Sequence, residues 1–392
     1  MMASLIKNTL IRSHGKRELH RAGFIVIDAE RIIENGYIEC CGGRIRKIHS
    51  VPPNEPCCDH GPGVLLPPLV NAHVHLELSA LKNSLSYEEG FRDWIRQLLK
   101  KRDSLDTGTL ILAADTAAKE LICTGHGYSG EISTLGITRS VMADNSLHGI
   151  CFHEILGSNK SQLHIEKNEQ LSFSVAGHGP HTTSPAILYE LKKRSKSKNL
   201  PFSIHAAESD DEMEFILGKK GDWADFLTER GIDYSNWEIG AKSPVKYLNE
   251  MNILDNRTVL VHALNVSDDD MNIISDAKAK LCVCPRSNFN LHRKLPDIET
   301  FLSKGISPAL GTDSFASCDS INIWDEMKFI ADHYPSLAPE HVFSMATING
   351  AVALGIHQRA GTLDQGKAAC FVYKDLMNIQ KKALIEMAIH YA

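Results

Sequence analysis

The sequence predicts an α/β protein: a (β/α)₈ TIM barrel with a small β-sandwich-like domain assembled from both chain ends. Three observations carry this. Strand-like apolar runs alternate with helical spans through the middle of the chain, eight in the count. The first, fifth and sixth of those runs end in histidine and the eighth in aspartate, at the carboxyl ends where barrels place working side chains. Short turn-bounded strands precede and follow the alternating region. The expected boundaries are 1–63 and 359–392 for the two parts of the small domain, and 64–358 for the barrel.

The N-terminal strands read as Gly23–Ile27, Gly36–Glu39 and Gly43–Ile48, a small antiparallel sheet. Gly361-Thr362-Leu363-Asp364-Gln365-Gly366-Lys367 and Cys370-Phe371-Val372 have the same texture. The first barrel strand is expected in the apolar run from Val64 to Val70, which leads into His73-Val74-His75. Alternate residues of a strand share a face, so His73 and His75 point the same way. Helices are expected over Tyr87–Arg102, with Phe91, Trp94, Ile95 and Leu98 at helical spacing, and over Thr109–Cys123. Gly125-His126-Gly127 follows, and then strands at about Gly149–Gly157 and Ser172–His178. Ser184-Pro185 opens a helix, with serine as cap and proline in the first turn. The later strands are Phe202–His205, Thr258–His262, Leu281–Cys284 and Ser307–Asp313.

Composition bounds the function. With 392 residues, 43% hydrophobic and 23% charged, the chain describes an ordinary soluble protein. A net charge of −6 leaves no footprint for nucleic acid or an anionic membrane, and Lys192-Lys193-Arg194 with Lys196 reads as a solvated helix face. Met1–Gly15 lacks the apolar core of a secretory signal, and no stretch reaches the length of a transmembrane helix. The ten cysteines, including the vicinal pairs Cys40-Cys41 and Cys57-Cys58, are therefore expected as free thiols in a reducing cytoplasm. The lack of Cys-x-x-Cys spacing disfavours a zinc site made of the two vicinal pairs. A small-molecule substrate is the expected partner, with a homodimer as the assembly to test.

His73, His75, His205 and Asp313 supply three neutral nitrogens and one carboxylate, a set that suits one Zn²⁺ or Fe²⁺ with a position left for water. A bound metal can lower that water's pKa to about 7. Glu208, three residues past His205, is placed to move protons as general acid and base. His262 either orients the water or serves as a further ligand. The fourth strand region, Ser172–His181, contains no lysine to bridge a second metal, which makes one metal the simpler count.

On these residues the chain resembles the amidohydrolase superfamily, in its deaminase and chlorohydrolase branch. The matching pieces are Asn71-Ala72-His73-Val74-His75, His205-Ala206-Ala207-Glu208, Val261-His262-Ala263, Cys284-Pro285-Arg286-Ser287-Asn288 and Gly311-Thr312-Asp313-Ser314. Ala346–Ala351 and Gly361–Lys367 match as well. The resemblance implies metal ligands at His73, His75, His205 and Asp313, a proton shuttle at Glu208, and water activation by His262 and Asp313. Two departures, Pro67-Pro68 before the first strand and Ala369-Cys370 near the end, concern the β domain or its junction.

The substrate contacts are expected from the same resemblance. His178, in His178-Gly179-Pro180-His181, matches a nucleoside contact of S-adenosylhomocysteine-type deaminases, and Asp93 before Trp94 matches a ribose contact. Arg286 at the barrel mouth suits a bidentate carboxylate or phosphate, or else a loop carboxylate of the protein itself. The run His75–Ser79, with Gly90–Trp94, resembles the 6-aminodeoxyfutalosine deaminases of menaquinone biosynthesis, whose adenine nucleoside bears a benzoate. Glu77 is expected near the metal or anchoring a loop, Glu154 at ribose hydroxyls, and Ser314 among the substrate contacts. The expected reaction is hydrolytic deamination at adenine C6. The alternatives are deamination of S-adenosylhomocysteine, methylthioadenosine or guanine, s-triazine chemistry, and a non-catalytic metal-binding scaffold.

Overall fold

The computed structural model describes residues 8–52, 54–158, 164–377 and 380–390; Met1–Lys7, at the start of the N-terminal stretch read for a signal, lie outside them. Eight parallel strands form the barrel: β1 (Leu69–Val74), β2 (His126–Ser133), β3 (His148–Ile155), β4 (Leu171–Gly177), β5 (Phe202–Ala206), β6 (Thr258–His262), β7 (Lys280–Val283) and β8 (Ala309–Leu310). Each pairs with the next in sequence, and a parallel bridge between Val74 and Asp313 joins the last strand's exit to the first.

That seam is made of site residues. The Thr312 amide donates to the His73 carbonyl at 3.0 Å, and the His75 amide donates to the Asp313 carbonyl at 3.0 Å. Asn71 Nδ2 adds a bond to Thr312 Oγ1 at 2.8 Å. Because β8 has only two ladder residues, these contacts close the cylinder.

Outward-facing strand residues such as Val175, Ile204, Leu260 and Val283 pack against Leu188, Leu191, Ile274 and Phe301 of the surrounding helices, all buried. Each such side chain contributes roughly 1.5–3 kcal/mol by leaving water. The helices begin where the chain permits. Gly90, at φ 86°, delays the first of them to Phe91–Asp103. Asp106 caps Thr107–Cys123 through the Thr109 amide. Ser184 and Pro185 open Pro185–Ser197 as expected, although the Ser184 side chain makes no capping bond.

On that last helix Lys192 is not solvated. It lies on the buried face with Leu188 and Leu191, and its Nζ reaches Asp255 Oδ1 at 2.6 Å and Thr258 Oγ1 at 2.8 Å. Its aliphatic stem allows burial while the ammonium stays paired.

The apolar run from Val64 to Val70 is divided by Pro67-Pro68, which can donate no ladder hydrogen bonds. Val64–Leu66 falls in the small sheet and Leu69–Val74 in the barrel. The small sheet has seven strands, running Asn8–Arg12, Cys370–Lys374, Val64–Leu66, Glu18–Val26, Ile32–Cys41 and Arg44–His49, with Cys58–Asp59 also beside Glu18–Val26. It is mixed rather than wholly antiparallel, since Val64–Leu66 and Cys58–Asp59 both run parallel to Glu18–Val26. Its core is Ala22, Ile25, Ile38, Ile45, Leu65 and Phe371. Helix Leu384–His390 packs instead with the helices around the barrel, through Leu384, Ile385 and Ile389.

After β5 the helices Asp210–Gly218, Asp222–Glu229 and Pro244–Glu250 gather Phe215, Trp223, Phe226, Trp237 and Tyr247 into a satellite core. The described cysteines form no disulfide, and no described helix is long and apolar enough to cross a membrane.

Candidate metal and catalytic site

His73 and His75 leave the end of β1 on one face, as their spacing dictates, and His205 joins them from β5. His75 Nε2 lies 3.1 Å from His73 Nε2, and His205 Nε2 lies 3.2 Å from it. Asp313 Oδ1 stands 3.8 Å from His73 Nε2 and 3.6 Å from His75 Nε2. Four groups expected to act together are thus brought together.

The donor set fits a divalent cation. His205 Nδ1 lies 2.7 Å from the His178 carbonyl oxygen, which can only accept, so a neutral His205 turns a bare Nε2 lone pair toward His73. Hydrogen bonding among the rings would then require His73 to donate from Nε2, leaving its buried Nδ1, already without a partner, as a second orphan lone pair. A cation satisfies every inward lone pair at once. Zinc bonds of about 2.0–2.1 Å in tetrahedral array place nitrogens roughly 3.3 Å apart, close to the spacing found. Burial, reinforced by the neighbouring imidazoles, holds His73 and His205 below the usual histidine range. Burial takes His75 down to about 3 although Asp313 opposes it. All three are therefore neutral, as ligation demands.

Side chains from other elements hold these groups. Asp313 Oδ2 accepts from Ser287 Oγ at 2.6 Å and Ser317 Oγ at 2.7 Å, which turns Oδ1 to the imidazoles. Ser287→Ala should weaken metal binding by about tenfold, read by competition with a chelator, since partners of this kind typically contribute ten- to a hundredfold. Asp313, Ala207 and His262 have φ of 60°, 55° and 74°. Such left-handed conformations in non-glycine residues gather at sites that hold a side chain in one required direction.

Glu208 faces the cluster from the loop after β5. Its Oε1 lies 3.6 Å from His262 Nε2 and 3.3 Å from His292 Nε2. Burial alone would raise its pKa, but His262 and then His292 overcome that, so the carboxyl is held below its usual range and is ionised. Glu212, fully buried, accepts from the Ala207 amide at 3.0 Å and the Glu208 amide at 2.8 Å, fixing the loop. His262 Nδ1 is held by Asn288 Oδ1 at 2.8 Å, and its ring also stands within ligand range of His73 and His205.

The remaining expected residues divide. His178 is beside the site, its ring centroid 5.0 Å from that of His205, and burial lowers its pKa to about 4. Glu154 is buried, accepts from Thr134 Oγ1 at 2.7 Å, and turns an unpartnered Oε1 to within 3.6 Å of His205 Nδ1. Glu77 serves as a loop anchor: its oxygens accept from Ser133 Oγ at 3.0 Å and the Thr134 and Leu135 amides at 2.9 and 3.0 Å. Asp93 is bonded at 2.6 Å to Gln97 on its own helix. Ser314 is buried with its Oγ 3.4 Å from Ser317 Oγ. Arg286 is engaged by Asp319, by the Ser320 carbonyl at 3.2 Å and by buried Glu326, whose Oε1 is 4.0 Å away.

His292, Ser317, Glu212 and Glu131 escape sequence reasoning. Glu131 accepts from the Leu76 amide at 3.0 Å and pins the turn after His75. Ser287 and Asn288 lay within a motif, but their roles did not.

Comparison with known proteins gives a consistent picture. The family profile described as "Amidohydrolase family" matches residues 64–389. The chain is 29% identical over 314 residues to the aminodeoxyfutalosine deaminase of Deinococcus radiodurans, covering 74% of this chain and 73% of that protein. It is 26% identical over 382 residues to the 5-methylthioadenosine/S-adenosylhomocysteine deaminase of Thermoanaerobacter pseudethanolicus, covering 89% and 82%. Among solved structures, the Helicobacter pylori aminofutalosine deaminase in complex with methylthio-coformycin superposes with a TM-score of 0.85 over 96% of each chain at 23% identity. The zinc complex of atrazine chlorohydrolase from Arthrobacter aurescens TC1 gives 0.78 over 94% of this chain and 90% of that one, at 17% identity.

Proposed function

The chain belongs to the amidohydrolase family and is a hydrolase of carbon–nitrogen bonds, and on that premise we propose that it removes the C6 amine of an adenine nucleoside. The observation that carries this reading is the placement of an ionised Glu208 across from the His73, His75, His205 and Asp313 cluster, with His262 between.

Those four residues would hold a divalent cation, Zn²⁺ or Fe²⁺. When bound, such an ion makes a water acidic enough to lose a proton near neutral pH. Asp313 and His262 orient that water. Glu208 takes up its proton at a carboxylate oxygen and delivers it to the ring nitrogen beside the reacting carbon. The water's oxygen adds at C6, its remaining proton passes to the exocyclic nitrogen, and the C6–N bond then breaks to release ammonia as the C6 carbonyl forms. Asn288 keeps the His262 ring in place, and Glu212 fixes the loop that carries Glu208.

For the substrate we favour 6-aminodeoxyfutalosine, supported by the relatives named above and by Arg286. The benzoate would displace Asp319, an exposed loop carboxylate, from a guanidinium that Glu326 and the Ser320 carbonyl continue to position. The present Asp319 contact favours a second reading, an uncharged nucleoside such as methylthioadenosine or 5′-deoxyadenosine. Ammonia release across these nucleosides, guanine and an s-triazine tests both readings. Arg286→Ala should cost the carboxylated nucleoside about ten- to a hundredfold in kcat/KM and leave methylthioadenosine within about threefold. Equal loss on both would refute the carboxylate contact.

A further inference from the structure

We propose that His20, Cys58 and His60 form a second metal site, for a Zn²⁺-type ion, in the small sheet. Strand Cys58–Asp59 runs parallel to Glu18–Val26, with His20 opposite Cys58 and Arg21 opposite Asp59. Parallel partners share a face, and His60 lies two residues beyond Cys58, so all three groups stand on one side. The other face takes the Arg21–Asp59 ion pair at 2.8 Å. The His60 amide extends the pairing by donating to the Arg21 carbonyl at 2.9 Å.

The result is a convergence like that in the barrel. His20 Nδ1 and His60 Nε2 are 3.1 Å apart, matching the His73–His75 separation, and the Cys58 sulfur lies within 4.8 Å of a ring nitrogen of each histidine. Two imidazoles and a thiol make a nitrogen–sulfur set that suits zinc, with a fourth position open to water. Glu18 Oε2 stands 3.4 Å from His20 Nε2, the nitrogen turned away from the site. A carboxylate on that side favours the proton on Nε2 and leaves Nδ1 as the donor to a metal. Phe371, edge-on at 4.9 Å from the His20 ring, and Tyr373, at 5.7 Å from the His60 ring, give the cluster an aromatic floor. Cys58 is exposed and forms no disulfide, so its sulfur is available.

Metal binding there would pin a strand of only two residues to the sheet, releasing the thiol proton to solvent. None of the three residues belongs to the catalytic cluster, so the test can be separated from the deaminase reading. The purified holoenzyme, dialysed against a small molar excess of Zn²⁺ or Co²⁺ and then freed of unbound metal, should hold two equivalents of metal per chain. Cobalt should give a sulfur-to-metal charge-transfer band, and Zn²⁺ should slow iodoacetamide labelling of Cys58 by about tenfold or more. Cys58→Ser and His60→Ala should each lose one equivalent, and Cys58→Ser the band, with kcat within about twofold of wild type; Cys57→Ser should lose neither. A single equivalent in the wild type, unprotected Cys58, or a thiolate band that survives Cys58→Ser would overturn the proposal.

Discussion

Glu208→Gln should lower kcat by about a thousandfold while metal content and thermal stability stay at wild-type values. The substitution preserves shape and removes only the proton-carrying oxygen, and general acid–base groups of this kind contribute roughly a hundred- to ten-thousandfold. Nothing else in the loop should move, because Glu212 holds the backbone amides of residues 207 and 208, not the Glu208 side chain. The four groups proposed to hold the metal are likewise untouched. Single-turnover kinetics with metal analysis on the same sample checks this. A loss under tenfold would mean that another group carries the proton, and His262 would be the first to test. A loss accompanied by missing metal would instead place Glu208 among the ligands.

The second large effect is on stability. Lys374 is fully buried with no carboxylate partner among the described residues; its Nζ donates to the Ala388 carbonyl at 2.7 Å and lies 3.9 Å from the Trp324 ring centroid. Burial lowers its pKa to about 7, from the 10.5 usual for a lysine in water. Between those two pH values the unfolded chain binds more protons than the folded one, so this residue makes stability rise with pH. Below about 7 both states are protonated and the contribution is flat. From pH 7 to pH 9 the gain should be on the order of 2 kcal/mol. In urea titrations at the two pH values, Lys374→Met should lack that increment. Parallel curves for the two proteins would show that the lysine keeps its ordinary pKa.

How far such features can be read from sequence depends on whether their cause is local. Period-two geometry alone puts His73 and His75 on one face, and barrel architecture puts His205, His262 and Asp313 at the same rim. Glu208 follows because three residues past a strand end is still the rim. What holds these groups is not local. Ser287 and Ser317 grip Asp313 from two different elements, and His292 reaches Glu208 only because its helix ends beside the β5 loop. Side-chain direction is equally hidden: Glu77 adjoins the motif yet turns toward the exit of β2, and Arg286 finds a neighbour in its own chain. In the small sheet, turn residues mark the strands. They carry no signal that Cys58–Asp59 or Val64–Leu66 would run parallel to Glu18–Val26, since those partners meet through long connections. Lys192 misled because a run of basic residues hides which of them faces inward.

The seam between β1 and β8 also governs when the molecule can begin to work. Its two sides, joined through Asn71–Thr312 and Val74–Asp313, are separated by most of the chain, and contacts so distant in sequence form late and slowly. A polypeptide emerging from the ribosome carries His73 and His75 long before Asp313 exists to meet them. Until then the early strands present an unpaired edge prone to association with other chains. Assembly of the site should therefore come late in folding, and a fragment ending before Asp313 should release no ammonia from an adenine nucleoside.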